Sequence, residues 1–345
     1  MAGLSVNSES SHWREVPNLY DIRSRKDRWK APRMILQSDA FLCGWRVQSE
    51  ICLPELLPWE DFGAAVDIGI HVGQVPPLNK IVGSSRRLTV DETGLCRLEI
   101  PAVATFSVRN GSEIVIDPLV SLNSVVLRNY LFGTVLGLVC HQRGVFPLHG
   151  SCLQLGDGAV IFSGNSGAGK STLAAGLAHR GHTLMADDVC VLTETHGGWV
   201  VWPAFPRVKL GTESLRAIFG GESDQSPLSL QGKHHFRFEP VQCFQTNPVP
   251  LKAVYFLGRT QIEARDSIVD VPRLKRLALL ETQIFRATAA ALLGRTESLF
   301  HSAARIAATV PILELRRCFD LEKIGVTFAM LEDAHRVKPA AVRSC

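Results

Sequence analysis

The stretch that decides the fold reads Val160-Ile161-Phe162-Ser163-Gly164-Asn165-Ser166-Gly167-Ala168-Gly169-Lys170-Ser171-Thr172. An apolar strand leads almost directly into G-x-x-x-x-G-K-[ST], and every fixed position of that pattern is satisfied. The residues from Leu173 to Ala178 are mostly strong helix formers, and Gly181 is placed to end their helix. Strand, glycine-rich loop and helix in this order predict a phosphate-binding loop inside an α/β domain.

Such a loop binds phosphate because its glycines let backbone amides turn towards the phosphate oxygens, while the helix N-terminus adds partial positive charge. The residues expected to contact the nucleotide are Gly164, Asn165, Ser166, Gly167, Ala168, Gly169, Lys170, Ser171 and Thr172. We expect Lys170 to contact the β and γ phosphates and Ser171 to offer a hydroxyl to Mg²⁺. The competing interpretation is a glycine-rich turn that binds nothing.

A pair of acids follows the next apolar run, residues 183–186, as Asp187-Asp188. If strand 183–187 runs parallel to strand 159–163, its carboxyl end opens on the sheet edge that carries the glycine-rich loop. One carboxylate can then help to hold Mg²⁺, while the other accepts the proton of an attacking hydroxyl. An acid pair at a strand end can also simply cap a turn, but the loop upstream favours an active site.

His149 lies just before the strand 152–155, which the turn Gly156-Asp157-Gly158 joins to the strand of the glycine-rich loop. In an antiparallel hairpin of these two strands, His149 falls beside the exit of strand 159–163, next to the expected phosphates. A single histidine is often purely structural, so a structural role and a functional role both stay open here.

Upstream of this region the chain changes character twice. Residues 1–40 are polar, with basic and acidic residues interspersed, and they predict a solvated arm. Short apolar runs separated by turn residues follow, including Asn110-Gly111, which is a strong hairpin signal. We therefore divide the chain into a β-rich N-terminal domain with a polar arm, residues 1–118, and a catalytic domain, residues 119–345.

The catalytic domain is expected to begin with a buried helix over 119–143, which Gly144 ends. Its later elements are predicted as a loop over 220–233, a strand over 253–257, a helical stretch over 282–309, a strand over 312–315 and a helix over 321–331. Arg207, Lys209 and Arg259 could face phosphate or an acidic peptide. Solvated charge at a strand edge is the simpler interpretation of all three.

Composition narrows the class of protein. The 345 residues are 46% hydrophobic and 20% charged, so disorder is excluded for most of the chain, and a net charge of +4 gives no basic stripe for nucleic acid. None of the nine cysteines forms a C-x-x-C pair, which suits a reduced cytoplasm. The most apolar window, 130–140, falls short of the roughly 20 residues that a membrane span needs. We expect a cytoplasmic enzyme that binds neither nucleic acid nor membrane.

The run from His149 to Asp188 resembles the catalytic domain of bacterial HPr kinase/phosphorylase. The matching pieces are His149-Gly150-Ser151, the glycine-rich loop, Arg180-Gly181-His182 and Ala186-Asp187-Asp188. The resemblance extends to the HPr-kinase-like proteins that occur with lasso-peptide biosynthesis genes, some of which phosphorylate a serine of the precursor peptide. It implies an α/β fold with a P-loop kinase domain of the HPr kinase/phosphoenolpyruvate carboxykinase type.

The resemblance also implies ATP with Mg²⁺ and assigns roles to residues. Asp188 corresponds to the general base that deprotonates the acceptor serine, with His149 and Lys170 as further catalytic residues and Ser171 and Asp187 as metal ligands. Two features depart from the family: Thr172 stands where it often has Glu, and its glycine-rich signature with a metal-binding Glu is not recognisable over 205–211. A second metal ligand is therefore unassigned.

Three functions fit these observations. The leading hypothesis is a Mg²⁺-ATP-dependent serine kinase that acts on a peptide or small protein, with a lasso-peptide precursor as one such substrate. The others are a carboxykinase-like kinase of small molecules and a regulatory module that binds ATP without transferring its phosphate. The sequence leaves the oligomeric state open, with a homo-oligomer as one option.

Overall fold

The computed structural model describes residues 37–61, 63–220, 234–237, 246–259, 265–318 and 320–336, with backbone only for 234–237 and for Arg259. The predicted polar arm up to residue 36 and the predicted loop over 221–233 lie outside the described residues. So does the side chain of Arg259.

Residues 38–118 build a mixed sheet, here called the front sheet. Its strands are β1 (Ser38–Leu42), β2 (Trp45–Ser49), β3 (Leu57–Pro58), β4 (Ile68–Val72), β5 (Ile81–Ser84), β6 (Leu88–Asp91), β7 (Cys96–Ile100), β8 (Ala104–Arg109) and β9 (Glu113–Pro118). Their order is β3-β1-β2-β4-β9-β8-β7-β6-β5, with parallel pairing only at β2–β4 and β4–β9 among the described strands. The predicted hairpin at Asn110-Gly111 joins β8 to β9, and both turn residues have positive φ.

One helical stretch connects the front sheet to the rest of the chain. It comprises α1 (Val125–Tyr130), a π-helical segment (Leu131–Val135) and α2 (Leu136–Gln142). The predicted helix over 119–143 is confirmed in its main part but starts at residue 125. Leu127, Val135 and Leu138 are fully buried, and Gly144, with φ of 77°, follows the end of the stretch as predicted.

The second sheet carries the predicted nucleotide loop. Its strands are β10 (Phe146–Leu155), β11 (Gly158–Ser163), β12 (Thr183–Thr195), β13 (Gly198–Trp202), β16 (Val249–Arg259), β17 (Ser267–Asp270) and β18 (Ile312–Arg317). Strand β10 lies between β11 and β12 and is antiparallel to both, so β11 and β12 are parallel, as predicted, with one strand between them. Strand β16 pairs with both β13 and β11, which closes β11, β10, β12, β13 and β16 into a ring.

The remaining elements pack around this sheet. They are β14 (Arg207–Leu210), β15 (His234–Arg237), α3 (Lys170–His179), α4 (Thr212–Phe219), α5 (Arg273–Thr282), α6 (Ala287–Leu292), α7 (Thr296–Thr309) and α8 (Ile324–Ala334). The prediction of one helical stretch over 282–309 is wrong. Arg286 and Gly294 adopt left-handed backbone conformations, with φ of 56° and 67°, and these interrupt the helical path before and after α6.

The described residues form one compact unit. A continuous cluster of buried apolar side chains contains Phe106 and Ile116 of the front sheet, Leu138 of α2, and Leu148 and Val191 of the second sheet. The division into two domains at residue 118 therefore stays a prediction. None of the helices in the described part of the chain combines the length and hydropathy needed to cross a bilayer.

Candidate active site

The glycine-rich loop, residues 164–171, leaves the end of β11 and enters α3. Gly164, Gly167 and Gly169 have φ of 138°, 80° and 89°, conformations that strain any residue with a side chain. A methyl group at Gly169 would also collide with Nη2 of Arg317. The motif therefore has glycine where this backbone path requires it.

Two cations hold the inside of the loop. Nζ of Lys170 donates to the carbonyl oxygens of Gly164 at 2.8 Å and Asn165 at 3.1 Å. Arg317, buried at the end of β18, donates from Nη2 to the carbonyl of Ala168 at 2.6 Å. The Lys170 ammonium thus lies within the curve of the loop, where phosphate oxygens are expected. Arg317 was not predicted, since only the parallel pairing of β16 with β18 brings it there.

Asp187 is buried under the loop in β12. Its Oδ1 accepts hydrogen bonds from Oγ of Ser151 at 2.6 Å and Oγ of Ser171 at 2.8 Å, and its Oδ2 accepts one from the amide of Lys209 at 3.0 Å. Burial raises the pKa of Asp187, the nearby Asp188 charge adds to that rise, and the hydrogen bonds oppose it. The structure therefore brings together Ser171 and Asp187, the two residues predicted to bind the metal.

The Ser171 hydroxyl and the Asp187 carboxylate suit Mg²⁺ better than a metal whose ligands all come from the protein. In the described residues, no three His, Cys, Asp or Glu side chains come together as a metal site. Mg²⁺ usually keeps several waters and binds through one or two carboxylates together with substrate phosphates. A hydroxyl and a carboxylate 2.8 Å apart at the opening of a glycine-rich loop fit that requirement.

Asp188 has an unusual backbone for a residue inside a strand. Its φ is 76°, although it pairs in register with Gly150 of β10. Strain of this kind costs about 1–3 kcal/mol and is concentrated at functional sites. The carboxyl group is one-third exposed and forms an ion pair with Nζ of Lys209 at 2.5 Å. Asp188 therefore differs from its neighbour Asp187: its side chain is open to the cleft.

His149 lies next to Asp188, as the hairpin predicted. Its Nδ1 is 3.0 Å from the carbonyl oxygen of Asp188, and because a carbonyl only accepts, Nδ1 carries the proton and Nε2 is left as an acceptor. Burial and the charge of Lys170 lower the pKa of His149, so the ring is neutral at neutral pH. A methyl group at Gly150 would lie 2.8 Å from the carbonyl oxygen of Phe162, which explains the glycine that follows the histidine.

Arg207 and Lys209 lie in β14, and both form ion pairs within the protein. Arg207 is buried and donates to Oε1 of Glu55 at 3.0 Å, and Glu55 also accepts from Arg128 at 2.8 Å. Lys209 pairs with Asp188. Neither residue is a solvated charge at a strand edge. Nothing in the local sequence signals these partners, because Glu55 and Asp188 are distant along the chain.

A single cleft of about 1080 Å³ connects these groups. The predicted site residues that line it are His149, Ser166, Gly167, Gly169, Lys170, Ser171, Thr172 and Asp188. Asp187 lies beneath this surface, and Oγ1 of Thr172 is 2.9 Å from Oγ of Ser214 in α4. The lining also includes Lys209, for which the sequence left a role towards phosphate or peptide open, and Arg286 and Arg317, which were not predicted.

Comparison with known proteins gives matches to HPr kinases. Residues 145–203 match the family model described as the HPr Serine kinase C-terminal domain. The chain is 38% identical over 148 residues to HPr kinase/phosphorylase of Azoarcus sp. (strain BH72), covering 41% of this chain and 42% of that protein. It is 29% identical over 127 residues to the enzyme of the same name from Chloroherpeton thalassium, covering 34% and 36%. The chain thus spans about two fifths of the length of these relatives.

The HPr(Ser) kinase/phosphatase structure from Coxiella burnetii matches with 13% identity over 55% of this chain and 90% of that chain. Its TM-score is 0.30, so the assignment of the fold depends on the strand order and pairing described above and not on this match. The matched family segment runs from the start of β10 to just beyond β13 and contains the glycine-rich loop and both aspartates. On this segment, the comparisons support similarity to an HPr kinase-like family.

Proposed function

We propose that this protein is a Mg²⁺-ATP-dependent kinase that phosphorylates a serine hydroxyl of a peptide or small protein. The observation that carries the proposal is the shared cleft: the glycine-rich loop with Lys170 and Ser171 and the acceptor side with His149 and Asp188 line one space. A kinase needs phosphate binding and hydroxyl activation within reach of each other. Similarity to HPr kinases supports serine as the acceptor.

On the acceptor side, Asp188 is the general base. Its carboxyl is open to the cleft, while the strained backbone and the hydrogen bond of its carbonyl with His149 hold the residue in place. Lys209 orients the carboxylate through the 2.5 Å ion pair. The neutral His149 ring positions Asp188 through the hydrogen bond that its Nδ1 donates to the Asp188 carbonyl, and the single proton of the incoming hydroxyl goes to the Asp188 carboxylate.

On the phosphate side, the chain supplies fixed positive charge. The loop amides and the Lys170 ammonium bind the β and γ phosphates, and Arg317 keeps the loop in shape through Ala168. Ser171 and Asp187 would hold Mg²⁺, which neutralises charge on the phosphates when it is bound. Ser151 keeps Asp187 oriented towards Ser171 through its own hydrogen bond.

The direct test incubates the purified protein with γ-labelled ATP, Mg²⁺ and candidate acceptors, and maps any phosphate by mass spectrometry. The first candidates are HPr from the same organism and any precursor peptide encoded beside the gene, including a lasso-peptide precursor. Phosphoserine in one of them, absent without Mg²⁺, is the expected result. Label in a small metabolite would instead indicate a small-molecule kinase, and tight ATP binding with no labelled acceptor would indicate a regulatory module.

A further inference from the structure

The front sheet contributes to the same cleft, and the proposed function gives it no role. The turn between β5 and β6, residues 85–87, lines the cleft together with Leu88 of β6 and with Leu98 and Ile100 of β7. These residues lie far before the glycine-rich loop in the chain, yet the fold places them around the same space. The front sheet is thus part of the site as well as a neighbour of it.

The β5–β6 turn brings positive charge to the cleft. Arg86 and Arg87 are both exposed, and within the described part of the chain neither guanidinium forms an ion pair. A pair of arginines with no acidic partner among the described residues is open to an anionic ligand.

Arg286 adds a third guanidinium from another direction. It sits at the N-terminus of α6 with φ of 56°, a strained conformation for a residue with a side chain, and its guanidinium lies over the Phe285 ring at 5.0 Å. The side chain is exposed to the cleft, and the described residues include no carboxylate in ion-pair contact with it. The Phe285 ring in turn lies 5.8 Å from the His149 ring, and the Arg286 charge contributes to lowering the pKa of His149. Arg286 is therefore on the acceptor side.

The three arginines belong to adjacent elements. Strand β5 packs against α6, because a methyl group at Gly83 would lie only 2.7 Å from Cδ2 of Leu292. The β5–β6 turn thus follows a strand that touches the helix which Arg286 precedes. We call Arg86, Arg87 and Arg286 the arginine cluster.

The other cations of the cleft already have partners near the phosphates. Lys170 and Arg317 bond to loop carbonyls, and Lys209 pairs with Asp188. The remaining acids of the lining, Glu213 and Asp320, lie on α4 and ahead of α8, and neither forms an ion pair with the three arginines. Among the described residues, no carboxylate forms an ion pair with the arginine cluster.

We propose that the arginine cluster binds the acceptor and that the acceptor is an acidic peptide segment, with carboxylate side chains flanking the phosphorylated serine. The inference rests on the proposed function, since it assigns the acceptor to the site of the proposed kinase. It gives the front sheet the task of selecting the substrate, by charge complementarity, while the second sheet supplies the chemistry.

The test measures binding without requiring transfer. Short fluorescein-labelled peptides of equal length, each with one serine flanked by glutamates, glutamines or lysines, are titrated with the full chain by fluorescence anisotropy. Mg²⁺ and a non-hydrolysable ATP analogue are present throughout. The glutamate peptide should bind most tightly and lose affinity as salt is raised. Arg86→Gln combined with Arg87→Gln should weaken its binding about tenfold.

The matched control is Arg97→Gln combined with Arg109→Gln, which removes two arginines of the same sheet that do not line the cleft. It should leave peptide binding unchanged, and both double variants should bind the ATP analogue like the parent. Equal binding of the glutamate and glutamine peptides, or no binding of either, would overturn the inference. A loss of affinity for the ATP analogue in the Arg86/Arg87 variant would also overturn it, by assigning the cluster to the nucleotide.

Two results distinguish a failure of the arginine-cluster inference from a failure of the proposed kinase function. Selective binding of the glutamate peptide with no transfer from ATP would retain the arginine cluster and reject the kinase. Phosphorylation of the lysine peptide in preference to the glutamate peptide would retain the kinase and reject an acidic acceptor.

Discussion

At the scale of single residues, the site depends on backbone conformations that few residue types adopt. Asp188 has positive φ inside a strand, and Gly169 has positive φ at the entry to α3. In both places the backbone conformation determines the position of a functional side chain. It turns the Asp188 carboxyl towards Lys209, and it leaves room for Arg317 against the loop.

Gly169→Ala tests the loop. The added methyl group is strained at φ of 89° and collides with Arg317, so we expect the loop to open and nucleotide affinity to fall about tenfold or more. Isothermal titration with an ATP analogue measures the change. Gly325→Ala in α8 is the control, because nothing lies within 4 Å of the new methyl group. Unchanged affinity in Gly169→Ala would contradict the described loop geometry.

At the scale of elements, charged pairs fix the helices that the site needs. Arg180 and His182, which follow α3, both bond to the buried Glu332 of α8, at 2.7 and 3.0 Å. Burial opposes ionisation of Glu332, but hydrogen bonds from Arg180 and His182 outweigh it and lower its pKa. The Arg-Gly-His part of the family resemblance therefore has a structural role in this chain: it joins α3 to α8.

Glu332→Gln should lower the free energy of unfolding by about 3 kcal/mol, since it removes the buried carboxylate that Arg180 and His182 share. Urea denaturation followed by circular dichroism measures the loss. Asp333→Asn, an exposed neighbour on the same helix, should change stability by less than about 0.5 kcal/mol. Similar effects of the two substitutions would show that the Glu332 contacts do not stabilise α8.

His141, a buried residue of α2, makes the free energy of unfolding depend on pH. Nε2 of His141 is 2.8 Å from the carbonyl oxygen of Phe285, while its Nδ1 is buried with no hydrogen-bond partner in the described part of the chain. Burial lowers the pKa of His141 from its ordinary value of 6.5. The folded state thus holds the ring neutral, and at acid pH the unfolded chain binds more protons.

We therefore expect the free energy of unfolding to be retained above about pH 6.5 and to fall as the pH drops below it, by up to about 1.4 kcal/mol per pH unit for this one group. Burial also lowers the pKa of His149 and His335, which act in the same direction. His141→Gln can still donate to Phe285 and should give a shallower slope between about pH 7 and about pH 5. An identical slope would exclude His141 as a source.

The parts of the fold and of the site that the sequence predicts are those that depend on residues close together along the chain. The glycine-rich loop, the paired acids and the position of His149 depend on residues close in sequence and on strand pairing, and the structure brings them together. Arg286 and Arg317 join the site only because α6 and β18 pack there, which no local pattern encodes. The same applies to the wrong helix prediction over 282–309: its alanine-rich sequence favours a helix, but Arg286 takes a left-handed conformation.

At the scale of the whole molecule, the two sheets share a core and a buried ionic network. Glu55, in the segment between β2 and β4, accepts hydrogen bonds from Arg128 of α1 and Arg207 of β14. The buried apolar cluster also runs through both sheets. The unfolding of one sheet would thus expose the core of the other.

We expect one cooperative unfolding transition for the two sheets, with the slowest-exchanging amides of β8 and β12 protected by the same free energy. Hydrogen exchange with mass spectrometry, across a urea series, measures both sheets in one sample. Loss of protection in the front sheet at a clearly lower urea concentration would instead support two domains that meet near residue 118.

The central claim is that Asp188 activates an acceptor hydroxyl beside a nucleotide held by the glycine-rich loop. Asp188→Asn tests it cleanly, because asparagine has nearly the same shape and tolerates positive φ, so the strained backbone is kept. Lys170→Ala is its counterpart and should weaken both nucleotide binding and transfer.

The decisive measurement is the rate of phosphoryl transfer from ATP to the acceptor at saturating nucleotide, together with the Kd for the ATP analogue. In Asp188→Asn we predict an unchanged Kd and a transfer rate about 100- to 10,000-fold lower, which is the usual contribution of a general base. A transfer rate equal to that of the parent protein would contradict the account.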